Sequence, residues 1–158
     1  MNQNYSTHFG VYGVCIQNNK LLCIQKNGGP YINRFDLPGG TPMINESLSE
    51  TLEREVLEET GFNLKSYKNS RTFDCFVHES NRVVHHIFVL FDMILLKKSQ
   101  DIEEEVNGEA NDSSGIIWFP LNELNLSNSS PIILKLLSEL NNEQDLHDRL
   151  DYHNWRVI

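Results

Sequence analysis

Gly40-Thr41-Pro42-Met43-Ile44-Asn45-Glu46-Ser47-Leu48-Ser49-Glu50-Thr51-Leu52-Glu53-Arg54-Glu55-Val56-Leu57-Glu58-Glu59-Thr60-Gly61-Phe62 is the segment on which the reading of this chain turns. Ser47 followed by Glu50 is a capping box: the hydroxyl accepts a free amide of the first turn while the carboxylate reaches back to the cap. Gly61 supplies a left-handed stop. The spacing predicts a helix over 47–60. At about 100° per residue from Leu48, Leu52 falls at about 40°, Val56 at about 80°, Glu59 at about 20°, Glu55 at about 340° and Glu58 at about 280°. Two glutamates therefore share the apolar face, and a third stands at its edge. A carboxylate turned towards a core without a partner costs on the order of several kcal/mol, so such a face persists only where something positive meets it. Arg54 is the sole basic residue of the stretch and cannot neutralise three acids. A hard divalent cation can: glutamates at i, i+3 and i+4 present oxygens on one side of a helix, the donor type magnesium or manganese takes, with sites left for water and substrate phosphate.

The pattern Gly40, five residues, Glu46, seven residues, then Arg54-Glu55-Val56-Leu57-Glu58-Glu59-Thr60-Gly61-Phe62 resembles the complete Nudix box of the Nudix hydrolases, with no departure at a defining position. Leu37-Pro38-Gly39-Gly40 is similar to its usual lead-in. The resemblance implies an α/β (α+β) fold, an α/β/α sandwich with a central mixed β-sheet. It also implies water attack at phosphorus on a nucleoside diphosphate linked to another moiety, such as a nucleotide sugar, a nucleoside triphosphate or a related compound. The implied cofactor is Mg2+ or Mn2+. Carried over position by position, Glu55 and Glu59 would be the principal metal ligands, Glu58 a further one, and the carbonyl of Gly39 would complete the shell. Arg54 would orient the glutamates and Glu46 would brace the loop-helix unit. In some members the general base is the first glutamate of the Arg-Glu pair, Glu55 here; in others it is an acid from the loop after the long strand. Glu103, Glu104, Glu105, Glu109 and Asp112 are available for that role, and Glu105 or Glu109 is favoured as the loop acid. The alternative function is a nucleotide-binding sensor with a Nudix fold and no hydrolysis; such proteins usually lack a box glutamate, and all are present here. No proline lies between Pro42 and Pro120, so the marker of some ADP-ribose-directed members is missing. The tyrosine of diadenosine-polyphosphate hydrolases and the coenzyme A and NADH signatures are not evident either, and the particular substrate stays open.

Outward from the box, His8–Ile16 and Lys20–Lys26 read as a hairpin joined by Asn18-Asn19, which tolerate the positive backbone angles of a tight turn. Arg34–Leu37 reads as a short strand and Pro38-Gly39-Gly40 as a turn where bare backbone can approach a ligand. Thr72–His78 alternates as a strand, and Val83–Leu96, rich in β-branched and aromatic residues, reads as a central one. An acidic loop over about 98–114 and a strand at Gly115–Phe119 follow. Ile132, Ile133, Leu136, Leu137 and Leu140 repeat at helical spacing, and Glu143–Leu150 is expected to be a further polar helix.

Composition bounds the rest. The 158 residues are expected to form one domain over 1–158, and 39% apolar against 22% charged residues suffices for a core. With 22 acidic and 13 basic side chains the formal charge is −9. That excess disfavours a nucleic-acid polymer or an anionic membrane as partner, since neither polyanion is neutralised without surplus lysine and arginine. The expected partner is a small-molecule nucleotide whose phosphates bring a cation along. A homodimer stays open, because many Nudix proteins dimerise and no exposed apolar stripe marks an interface here. The longest apolar run, Ile87–Leu96, is short and interrupted by Asp92, and the first ten residues lack a basic start and apolar core, so a cytoplasmic location is expected. Cys15, Cys23 and Cys75 show no Cys-x-x-Cys pair and read as buried free thiols. His78, His85 and His86 lack zinc-site spacing and read as strand-edge residues or substrate contacts. Tyr31, Phe35, Phe73, Phe76 and Phe88 read as core rather than base-stacking platforms. For Lys26, Arg34 and Arg82 the sequence leaves phosphate or sugar contact and plain solubility as open alternatives.

Overall fold

A computed structural model describes residues 3–29, 31–98, 105–106, 109–110, 113–153 and 155, with backbone alone at 97–98, 105–106, 109–110 and 113–114. The apolar run after the box becomes a 17-residue strand, β7 (Arg82–Lys98), preceded by β6 (Phe62–His78) and flanked on its other side by β1 (Asn4–Val14). β6 and β7 are antiparallel, while β1 runs parallel to β7 from Asn4↔Arg82 to Val14↔Asp92. β5 (Gly39–Gly40) pairs antiparallel with β1, and β11 (Asp151–Tyr152) runs parallel to β6, giving a mixed sheet in the order β11-β6-β7-β1-β5. A second, antiparallel sheet joins β10 (Ser113–Pro120), β3 (Lys20–Lys26) and β2 (Ile16–Gln17), with β4 (Phe35–Asp36) paired to β3; β8 (Glu105–Val106) and β9 (Glu109–Ala110) pair with each other.

Two α-helices among the described residues cover these strands, α1 (Leu48–Thr60) and α2 (Pro131–Leu140). The period of two along each strand sends alternate side chains to opposite faces. On β7, Val89, Phe91 and Met93 join Leu52 and Val56 of α1 in one core cluster. Phe88 and Leu90 join Ile132, Ile133 and Leu136 of α2 in the other. β3 divides likewise, Leu22 to the first and Leu21 and Cys23 to the second. This two-sided burial is the α/β/α sandwich with a central mixed sheet.

Four expectations are corrected. The amino-terminal run is split: Asn18 (φ 52°) and Asn19 (φ 59°) do make a tight turn, but the partner of β3 is only β2, and β1 leaves at Cys15 for the other sheet. Parallel pairing to a strand more than 70 residues away leaves no local mark. Gly39-Gly40 is a short strand on β1 rather than a turn. β6 begins at Phe62, ten residues before the first readable alternation, because most of its first half is exposed and carries no apolar face. Glu143–Leu150 forms no helix: Asn142 (φ 54°) and Asp145 (φ 61°) adopt left-handed backbone, and the chain returns to the sheet as β11.

The three cysteines are free and buried, and burial pushes the thiols of Cys23 and Cys75 up to about 12, which removes them as nucleophiles. No helix among the described residues is long and apolar enough to cross a membrane.

Candidate functional site

α1 starts and stops where its signals stand. The Ser47 hydroxyl accepts the Glu50 amide at 3.1 Å, Glu50 reaches back to the Ser47 amide, and Gly61 (φ 77°) closes the last turn by donating to the Leu57 carbonyl. These caps set the rotation of the helix, with Leu52 and Val56 fully inside and Glu59 only 4% exposed beside them.

Around the inward-turned glutamates one guanidinium does most of the bonding. Arg54 clamps Glu46 with two bonds, Nε to Oε2 at 2.7 Å and Nη2 to Oε1 at 2.8 Å. Its Nη1 donates to Glu55 at 2.8 Å and to Glu58 at 3.1 Å, and Nη2 also donates to the Thr41 carbonyl at 3.1 Å. Glu46 accepts in addition the Met43 amide at 3.0 Å and the Thr51 hydroxyl at 2.8 Å, which ties the loop to the helix. The Arg54 bonds hold the Glu46 carboxyl down to about 2. Glu55 moves the opposite way: burial pushes its carboxyl up, Arg54 opposes this, Glu58 adds to it, and the charge of Lys26 lowers it. Glu59 accepts the Gly39 amide at 3.0 Å, which docks β5 on the helix.

The glycines of β5 are shaped by this contact. A Cβ at Gly40 would stand 2.6 Å from the Glu55 carboxyl, and one at Gly39 (φ 154°) would stand 2.1 Å from the Val11 carbonyl. Bare backbone is what lets strand and carboxylates approach.

These residues fit a hard divalent cation. Glu46, Glu55 and Glu58 share one guanidinium, Glu59 is buried near them with the Gly39 amide as its partner, every side-chain donor is a carboxylate oxygen, and burial raises the Glu55 carboxyl. Of the sequence candidates, the structure thus brings together Arg54, Glu55, Glu58, Glu59 and Gly39. Glu105 and Glu109 lie opposite each other's neighbours on β8 and β9, and their side chains, like Glu103, Glu104 and Asp112 altogether, lie outside the described residues.

Beside the box, a cavity of about 240 Å³ is lined by Tyr12, Lys26, Tyr31, Asp36, Arg82 and His86, among others. Tyr12 pairs in register with Gly39, and Lys26 acts electrostatically on both Glu55 and His86, which links the cavity to the carboxylate cluster. His86 is 1% exposed, between the hydroxyl of Tyr31 at 2.6 Å and that of Tyr12 at 3.3 Å, and burial lowers it from 6.5 to about 3. It is an interior histidine, not a strand-edge one. The parity of β7 carried that signal, since Val84, His86, Phe88 and Leu90 alternate onto one face. Tyr12 carried none, lying far from the box in sequence, and Asp36, four residues before Gly40, fell within the expected short strand without a signal of its own. Lys26 and Arg82 line the cavity, whereas Arg34 is buried, donates to the carbonyls of Leu126 and Ser129, and stacks 3.9 Å from Trp155. Tyr31, Phe73 and Phe88 are buried and Phe35 and Phe76 half-buried, so the five aromatics act mainly as core.

Comparison with known proteins gives a concordant picture. Residues 6–140 match the NUDIX domain family. The ADP-ribose pyrophosphatase of Methanocaldococcus jannaschii is 39% identical over 51 residues, a match covering 32% of this chain and 30% of that relative. Among solved structures, the MutT NUDIX hydrolase from Burkholderia pseudomallei superposes with a TM-score of 0.64 at 19% identity, covering 85% of this chain and 98% of the other. The NUDIX domain of Shewanella oneidensis NrtR, complexed with ADP ribose, gives a TM-score of 0.61 at 17% identity over 90% of this chain and 88% of the other. At such identities the structures speak for the fold.

Proposed function

The chain belongs to the Nudix family, and on that premise we propose that it is a metal-dependent pyrophosphohydrolase acting on a nucleoside diphosphate linked to a further moiety. The observation that carries this reading is the gathering of Glu55, Glu58 and Glu59 with Arg54 on the inner side of α1, against a strand whose glycines leave room for them.

In this reading Glu55, Glu58 and Glu59, with the Gly39 carbonyl, hold Mg2+ or Mn2+. The bound ion supplies charge neutralisation at the pyrophosphate oxygens and an acidified water. The protein's own part is positioning. Arg54, itself braced by Glu46 and Thr41, fixes the carboxylates of Glu55 and Glu58, so that little reorganisation is needed on binding. Glu55, whose carboxyl burial raises, serves as ligand or as acceptor of the water proton, with Glu105 or Glu109 as the acid from the loop. The cavity at Tyr12, Lys26 and Arg82 receives the rest of the substrate, its two cations suited to phosphate or sugar oxygens.

The test is a panel of nucleoside triphosphates, nucleotide sugars, ADP-ribose and dinucleoside polyphosphates with Mg2+ or Mn2+, read as phosphate release after phosphatase treatment. ADP-ribose enters through the name of the Methanocaldococcus relative; the missing downstream proline keeps it from being singled out. Turnover of one class is the expected result. No turnover of any, with ligand-induced stabilisation alone, would replace the enzyme by a nucleotide sensor.

A further inference from the structure

Far from the box in sequence, the junction of β6 and β11 gathers three metal-binding side chains. β11 runs parallel to β6 with Tyr152 opposite Val77, which sets His153 beside His78 at the next position. Their rings stack with centroids 4.1 Å apart. Asp151, two residues before His153 and so on the same face of the strand, accepts from His78 Nε2 at 2.8 Å. One ligating atom from each of His78, Asp151 and His153 lies within 4.8 Å of the others. The ligand atoms of a tetrahedral zinc shell stand roughly 3.3 Å apart, so these groups need only small rotations to converge. Both histidines also line an open cavity of about 800 Å³ with Glu79 and Trp155, which leaves room for a fourth ligand.

We propose that His78, Asp151 and His153 form a second metal site, of transition-metal type and selective for Zn2+ over Mg2+, that fastens β11 to β6. Two imidazoles and one carboxylate are a borderline-soft donor set, unlike the all-oxygen set of the box, and this is what separates the two sites chemically. Arg149 competes for Asp151, with Nε 2.9 Å from Oδ2. Its side chain is 62% exposed, so that pair yields to a better ligand for the carboxylate. His153 lies two residues before Trp155, which packs on Tyr31 and Arg34. The site stands independently of any hydrolytic reading of the box.

The experiment is a calorimetric titration of the full 158-residue chain with Zn2+ in excess Mg2+, with tryptophan fluorescence of a Trp118→Phe variant and thermal unfolding followed in parallel. The expected result is one Zn2+ per chain, a change in indole emission and a raised Tm. His153→Ala, an exposed position whose loss leaves the fold intact, weakens Zn2+ at least about tenfold, and His78→Ala does the same. Absence of Zn2+ binding under Mg2+, or undiminished binding in His153→Ala, would overturn the site.

Discussion

Helices α1 and α2 lie on opposite faces of the same strands, and each begins at a serine whose hydroxyl accepts an amide of the first turn. They bury opposite chemistry. α2 sets Ile132, Ile133 and Leu136 completely inside, against Phe88 and Leu90. α1 buries Leu52 and Val56 against Val89, Phe91 and Met93, and then turns Glu59 inwards with Glu55 and Glu58 at its flank. The one charge α2 buries, Lys135, donates to the Leu146 carbonyl at 2.8 Å, so α2 is explained by stability alone. A helix that draws acids towards its own core gives up stability, and that loss is intelligible if a cation is the missing partner.

Glu55→Gln breaks the comparison most sharply. It is expected to lower kcat at least about a hundredfold at saturating Mg2+, as when a metal ligand or proton acceptor is lost, while metal-free protein melts no lower than the parent. The sign follows from the raised carboxyl: the fold prefers its neutral form, so at pH 7 the charge costs stability that an amide does not. Near-normal kcat in this variant would remove Glu55 from the proposed mechanism. On α2 the mirror experiment is Leu136→Ala, expected to cost about 2–5 kcal/mol in denaturant unfolding with kcat per folded molecule unchanged. A drop in kcat of the size seen for Glu55→Gln would show that the two faces are not separable.

Acid sharpens the difference further. His86, lowered to about 3 in the fold against its usual 6.5, binds its proton more readily when unfolded, so stability is complete above about 6.5 and is lost as pH falls towards 3. His86→Gln should flatten that limb of the stability profile; an unchanged limb would assign it to other groups. The smallest effect concerns the caps. Ser47→Ala is expected to cost about 1 kcal/mol. Ser130→Ala should cost more, since its buried hydroxyl also donates to Asp36 at 2.7 Å. Equal losses would mean that the Asp36 bond adds nothing.

The legible parts of the molecule were those whose causes are local. Ser47, Glu50 and Gly61 bound α1 from sequence, the stripe at Ile132, Ile133 and Leu136 marked α2, and the apolar run from Val83, rich in β-branched and aromatic residues, marked β7. Glu55, Glu58 and Glu59 were readable as a charged face on an apolar helix, because a wheel needs only spacing. What stayed hidden depends on distant partners. Parallel pairing of β1 with β7 has no turn to announce it, and the first half of β6 is a strand held by its neighbour with little burial of its own. The Tyr12–His86–Tyr31 contact and the His78–Asp151–His153 cluster join residues from separate strands and loops, and no short spacing encodes them.

The central claim is that the inner acids of α1 are a cation seat, and calorimetric titration of Mn2+ or Mg2+ into the chain, with and without a non-hydrolysable nucleotide, tests it most directly. The account predicts binding that Glu55→Gln and Glu59→Gln each weaken strongly and that His153→Ala leaves intact. Binding of neither ion to the parent protein, or equal binding to the glutamine variants, would contradict it.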